Sequence, residues 1–186
     1  STTSINSLVV NGGYLSVNYG VTLTNTSCAI LFVNTNAIAP AGTTGILGRG
    51  SSEGIVTVNS GKTGTVSTNI TGSAGLSKFG TGTLTLTGPK DYTGTTTINA
   101  GTLSTNSLAD GGASSGVGAS SNAATNLVFN GGSLLYTGAA TSSDRLFSIG
   151  LAGGAILSSG TGGITFTNTG ALGFNGESGA RILTLA

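Results

Sequence analysis

A short pattern of apolar, turn and glycine residues recurs along the chain. Residues 7–15 align without gaps on residues 126–134: both have apolar residues three and one positions before an Asn, Gly two positions after it and Leu four positions after it. Further copies follow the same pattern more loosely. In chain order, the turn residues of all copies are Asn11, Asn34, Asn59, Gly80, Asn99, Asn130, Gly150 and Asn168. Their successive spacings are 23, 25, 21, 19, 31, 20 and 18 residues, which indicates a stack of small repeat units.

A unit of about twenty residues is too short for a helical hairpin repeat and lacks the frame of a leucine-rich repeat. We therefore predict an all-β fold, a parallel β-helix (β-solenoid) of about eight coils. Each coil contributes two or three short strands that pair with the coils on either side. Alternation along a strand places Leu84 and Leu86 inside and Thr83, Thr85 and Thr87 outside.

An antiparallel sandwich is the alternative fold. Its hairpins would lie at Asn11-Gly12, Asn130-Gly131 and Asn175-Gly176. The regular spacing of the repeats, and the lack of the large aromatic core that sandwiches commonly have, favour the β-helix.

The charge pattern limits the possible partners. Only 6% of residues are charged, the net charge is +1, and the six basic residues are scattered singly, so we expect no nucleic-acid partner. The longest purely apolar run, residues 28–33, is far too short to span a membrane as a helix, so we expect no membrane span in this segment. The single cysteine, Cys28, lies in that run and reads as a small buried hydrophobe.

The chain offers little material for catalysis. The absence of histidine removes the usual triads and zinc sites, and Gly61-Lys62-Thr63 is not a phosphate-binding loop because Val56 stands where the motif requires Gly. Asp91 and Asp110 lie about one coil apart, but no third acid or arginine follows in phase. We therefore expect no enzyme, no cofactor and no metal site, and keep a polysaccharide lyase or hydrolase as a distant alternative.

One part of the chain resembles a known family. Residues 76–88 read L-S-K-F-G-T-G-T-L-T-L-T-G, and residues 92–103 read Y-T-G-T-T-T-I-N-A-G-T-L. This stretch is similar to the autotransporter-associated β-strand repeat, or passenger-associated transport repeat, with Pro89, Lys90 and Asp91 departing from the residues usual there. The resemblance implies a right-handed, single-stranded parallel β-helix in the passenger of a type V secreted protein. It also implies an extracellular or outer-surface location in a Gram-negative bacterium.

The chain is expected to form a single β-helix over residues 1–186, as a segment of a longer repeat protein, because it contains no methionine. The spacing of 31 residues between Asn99 and Asn130 exceeds one coil by about ten residues. We place this excess in a loop insertion near residues 104–125, where residues 110–116 are predicted to project from the rod.

The function expected first is a stalk, scaffold or fibre that associates end to end with copies of itself or with adjoining coils of a longer parent chain. Both ends read as uncapped strands, which would leave backbone groups open for pairing. The alternative is an adhesin that binds glycans or cell surfaces through exposed side chains. The candidate contact residues are Thr83, Thr85, Thr87, Tyr92, Thr95 and Thr97.

Overall fold

A computed structural model describes residues 1–42 and 45–186. The strands, in chain order, are β1 (Thr2–Ile5), β2 (Leu8–Val10), β3 (Tyr14–Asn18), β4 (Thr22–Asn25), β5 (Ala29–Phe32), β6 (Asn36–Ala41), β7 (Ile46–Gly48), β8 (Gly54–Val58), β9 (Thr63–Val66), β10 (Asn69–Thr71), β11 (Leu76–Phe79), β12 (Thr83–Leu86), β13 (Thr96–Ile98), β14 (Thr102–Thr105), β15 (Leu127–Phe129), β16 (Ser133–Tyr136), β17 (Thr141–Ser143), β18 (Ser148–Ile149), β19 (Gly154–Ser158), β20 (Ile164–Phe166) and β21 (Leu183–Leu185). A single short 3₁₀ turn, Ala124–Asn126, is the helical element of this described part.

The strands form stacked sheets in which neighbours come from successive coils. Sheet I has the order β1-β4-β7-β10, sheet II runs β18-β15-β13-β11-β8-β5-β2, and sheet III runs β21-β19-β16-β14-β12-β9-β6-β3, with β17 and β20 forming a separate pair. The pairing in sheets II and III is parallel throughout. The predicted all-β solenoid is therefore confirmed, and the antiparallel sandwich is wrong.

The solenoid has about seven turns, as the seven strands of sheet II show, rather than eight. Asn168 does not mark a corner between sheets II and III, as the other repeat positions do, because it follows β20, which pairs with β17 outside both sheets. Sheet II instead ends in an isolated bridge between Ser148 and Gly173. Other repeats stack as the sequence indicates: the Asn34 side-chain amide donates to the Asn11 side-chain oxygen at 2.9 Å, and that of Asn130 donates to Asn99 at 3.2 Å.

One apolar core runs along the inside of the solenoid. Leu84 and Leu86 of β12 are fully buried, whereas Thr83 and Thr85 are only half-buried, which confirms the predicted inward and outward positions. The period of two along a β-strand explains this alternation. Inward side chains of adjacent coils lie in register: Leu84, for example, pairs with Leu103.

The long connection between β14 and β15 spans residues 106–126. It does not project as a whole as the sequence suggested, because Leu108 and Val117 are buried and the exposed stretches are limited to residues 112–114 and 121–123. The backbone of Lys90 pairs with Ser115 in an isolated antiparallel bridge, which holds the connection against the coil. No helix in residues 1–42 and 45–186 has the length and apolar character needed to cross a membrane.

Candidate contact face and buried cations

The outer side of sheet III carries rows of hydroxyl groups. In one row Thr83 lies in register between Thr63 and Thr102. In the next row Thr85 lies between Thr65 and Ser104. Neighbouring parallel strands are about 4.8 Å apart, so the hydroxyl groups are spaced at that interval along the rod. Ser104 is buried, so we give the name hydroxyl face to the surface formed by the other members of these rows: Thr63, Thr65, Thr83, Thr85 and Thr102.

Not all of the predicted contact residues lie on this face. Thr97 belongs to β13 in sheet II, a different side of the coil, and Thr95 directly precedes that strand. The Thr95 hydroxyl donates to the backbone carbonyl of Thr125 at 3.3 Å. Thr87 follows β12 and is half-buried. The sequence therefore grouped residues from two sides of the solenoid.

Tyr92 was predicted as a contact residue, and this prediction is wrong because its side chain is fully buried. Its hydroxyl lies 2.7 Å from the Thr96 hydroxyl, and burial raises the pKa of the phenol. The guanidinium of Arg49 lies over the ring, 4.8 Å from its centre. Tyr92 is therefore a core residue with a satisfied polar group. Tyr14, by contrast, is 81% exposed at one end of sheet III.

The Tyr14 side chain continues a row of the hydroxyl face. The register of sheet III runs from Tyr14 through Ala37 to Thr65 and Thr85. An open groove lies at this end and is lined in part by Tyr14, Thr35 and Thr65. An aromatic ring beside hydroxyl donors and acceptors is chemically suited to an uncharged polar ligand such as a sugar.

Four of the six basic residues are buried, which the sequence did not reveal. These are Arg49, Lys78, Lys90 and Arg145. The hydrogen bonds that these side chains donate run mainly to backbone carbonyl groups, as expected for buried charges, although Nε and Nη2 of Arg49 have no partner in the described part of the chain.

Lys78 illustrates the arrangement within the repeat motif. Its ammonium donates to the carbonyls of Phe79 at 2.9 Å, Gly80 at 2.7 Å and Ala100 at 3.1 Å. The first two carbonyls belong to the same corner, and the third belongs to the next coil, so the side chain joins two coils. Burial lowers the pKa of Lys78 to about 8. The signal for this role was present in the sequence, because Lys78 lies two residues after the inward Leu76 and so on the same side of the strand.

Arg49 and Lys90 occupy the region around Tyr92. The Arg49 guanidinium donates to the carbonyl of Gly75, and the Lys90 ammonium donates to the carbonyl of Thr87 at 2.7 Å. Burial lowers the pKa of both side chains, to about 8 for Lys90. Within the part of the chain that the structure describes, no cluster of three or more His, Cys, Asp or Glu side chains is placed to hold a metal ion.

Comparison with known proteins addresses the repeat itself. The family model described as the passenger-associated-transport-repeat matches residues 76–104. These residues form β11 to β14 and include the buried Lys78 and the central part of the hydroxyl face. The chain is a passenger-associated transport repeat protein. The matched residues contribute two strands each to sheets II and III, so they belong to two successive turns of the solenoid.

A curated relative extends the similarity beyond the repeat. The Adhesin BmaC autotransporter of Brucella suis biovar 1 (strain 1330) is 49% identical over 135 residues, which is 70% of this chain. The chain spans only 4% of that relative's length. No solved structure matches the chain. As expected for a passenger-associated transport repeat protein, the location is the outer surface of a Gram-negative bacterium.

Proposed function

We propose that this chain is a structural segment of a surface-exposed passenger and serves as a stalk or scaffold without enzymatic activity. The observation that carries the proposal is the unbroken parallel register of sheet III, in which eight strands stack in order along one axis. With neighbouring strands about 4.8 Å apart, eight strands give a rod about 34 Å long. Such a rod holds whatever lies at its two ends at a fixed separation.

The stalk is proposed to continue through its neighbours. Strands β3 and β21 lie at the two edges of sheet III, where each has a partner on one side. An edge strand presents unpaired backbone donors and acceptors that another strand can complete. The curated relative supports adjoining coils as partners, because this chain corresponds to 4% of its length. Stacking of a second copy of the chain on the same edges is the other form of this association.

Deletion of one complete coil tests the stalk in the full-length passenger. Removing residues 56–77 joins Ile55 to Lys78, which stand in register with Ala29 and Ile30, respectively, after the change. The shortened protein should therefore fold, reach the cell surface and have a rod shorter by about 4.8 Å. As a matched control, removing residues 56–66 deletes half a coil and breaks the register of sheets II and III. Surface display should then fall sharply, and equal display of both proteins would contradict the proposal.

Adhesion is the second candidate function. It is favoured by the row from exposed Tyr14 to Thr85 and the groove beside it. The relative is named as an adhesin. We propose that any such contact uses the hydroxyl face together with Tyr14. Substituting Thr65 and Thr85 with Lys should then abolish attachment of bacteria to a glycan surface, whereas Thr57→Lys on the outer side of sheet II should not. Unchanged attachment in all variants would contradict the adhesion proposal and leave the stalk as the proposed function.

A further inference from the structure

Residues 106–122 form a strap across one side of the solenoid. The strap lies against the coil that carries Tyr92, where the Ala119 amide donates to the Tyr92 carbonyl at 2.7 Å. The Thr96 hydroxyl donates to the Val117 carbonyl at 2.9 Å. Residue 118 is Gly, and a Cβ there would collide with the Tyr92 ring, so the strap backbone packs directly on the aromatic side chain.

Arg145 lies at the centre of this strap although it comes more than twenty residues later in the chain. Its side chain is 2% exposed. The guanidinium donates to five backbone carbonyls and one hydroxyl, and every acceptor belongs to the strap. The contacts are Nε to Ala109 O at 3.0 Å, Nη1 to Ser120 O at 2.9 Å and Ser120 Oγ at 3.1 Å, and Nη2 to Asp110 O at 3.2 Å, Ala113 O at 3.1 Å and Gly118 O at 3.0 Å.

The residue before Arg145 reinforces this connection. The Asp144 carboxylate accepts from the Gly111 amide at 2.7 Å and from the Asn122 side chain at 2.7 Å. The Asp144 amide in turn donates to the Asp110 carboxylate at 2.8 Å. The two hydrogen bonds to its carboxylate lower the pKa of Asp144, the contact with the Gly111 amide most of all. The strap is thus held by two consecutive residues of the following coil.

The sheets on either side do not depend on the strap. Sheet II pairs Thr96 directly with Leu127, and sheet III pairs Thr102 directly with Ser133, so the ladders continue past the insertion. The strap's large apolar side chains in the core are only Leu108 and Val117. A segment with few buried apolar contacts is the type that opens separately from the rest of a protein.

We propose that the strap is a separately closing element, locked by the Arg145 guanidinium, that can open while the solenoid remains stacked. Its closure requires the next coil to be in place, because the Arg145 guanidinium and the Asp144 carboxylate lie in that coil and their partners lie in the strap. Opening uncovers the side of the solenoid that carries Tyr92 and Thr96. Without Arg145, five backbone carbonyls lose a charged donor, and the contacts to those of Gly118 and Ser120 are buried. Leaving buried acceptors unpaired is strongly unfavourable.

Hydrogen exchange measured by mass spectrometry tests this lock. In Arg145→Met, amides of residues 107–122 should exchange on the order of a hundredfold faster or more, while residues 96–105 and 127–136 keep their protection. The matched control is Arg181→Met, which removes a guanidinium that makes one exposed hydrogen bond, to Glu177. The control should leave exchange in the strap unchanged. Equal acceleration in the strap and in both flanking strands of Arg145→Met would overturn the proposal, as would no acceleration.

A second measurement covers the case in which Arg145→Met does not fold. In the unaltered protein at low denaturant concentration, the strap amides should exchange through an opening whose rate hardly changes with denaturant. Amides of β14 and β16 should exchange only through larger, denaturant-sensitive unfolding. A single common denaturant dependence for the strap and the two strands would show that the strap opens only with the solenoid, contrary to the proposal.

Discussion

Replacing Leu84 with Ala should destabilise the solenoid by about 3 to 5 kcal/mol, in the upper part of the range for buried Leu→Ala substitutions. Leu84 is fully buried and lies in register between Gly64 and Leu103. The space beside Gly64 is already filled by the Phe32 ring, which a Cβ at that position would strike. Because backbone pairing on both sides fixes the strand, the neighbours cannot close the cavity left by the smaller side chain.

Thr85→Ala is the matched control, since the next residue of the same strand points outward and is half-buried. Its effect should stay within about 0.5 kcal/mol. Guanidinium denaturation followed by circular dichroism gives both values, provided that the denaturant slope is unchanged. At about 2–4 °C per kcal/mol for a chain of this size, the melting temperature should fall by about 6–20 °C for Leu84→Ala. Equal denaturation midpoints for the two variants would refute the inward and outward assignment.

Three further predictions concern the corners and the buried cations. Burial lowers the pKa of Lys78 from its usual value of 10.5 to about 8, so between pH 8 and 10.5 the unfolded chain binds more protons than the folded chain, and the free energy of unfolding should rise with pH. Denaturation midpoints of the unaltered protein and of Lys78→Met, measured over this pH range, should therefore diverge. Parallel curves would contradict the burial of a charged Lys78. At neutral pH, Lys78→Met should lower the melting temperature, because three partly buried carbonyls lose their donor. A melting temperature equal to that of the unaltered protein would show that the contacts contribute nothing. Gly80→Ala should destabilise the protein more than Gly88→Ala. Both glycines have a positive φ, 73° and 71°, but only a Cβ at Gly80 would strike the backbone of Val58 in the neighbouring coil. Melting temperatures from calorimetry in the reverse order would be inconsistent with the close approach of the two coils.

Much of the fold was predictable because a β-solenoid repeats its rules along the sequence. Alternation alone assigned Leu84 and Leu86 to the core, and the recurring Asn and Gly positions marked the corners. The pattern failed at Asn168, where a strand pairs outside sheet II. Local sequence cannot distinguish which sheet a short strand joins, because that choice depends on contacts with the preceding coil.

The contact residues and the insertion were less predictable for a physical reason. Tyr92 reads as an exposed aromatic residue beside a turn, yet the strap and Arg49 cover it from positions far away in the sequence. Residues 110–116 read as a flexible loop because they are small and polar. These residues are held in place by hydrogen bonds from Arg145. The sequence around Arg145 does not indicate that its hydrogen-bond partners lie in an earlier insertion.

Distances between spin labels test the stacked register most directly. In a Cys28→Ser background, one label at Tyr14 is paired in turn with a label at Thr85, Leu135 or Leu157, all in one outward row of sheet III. These positions are three, five and six strands from Tyr14, so we predict backbone separations of about 14, 24 and 29 Å. Narrow distributions that lengthen in this order would support a continuous parallel solenoid acting as a stalk. Distances that are broad, or that do not increase with the number of intervening coils, would contradict it.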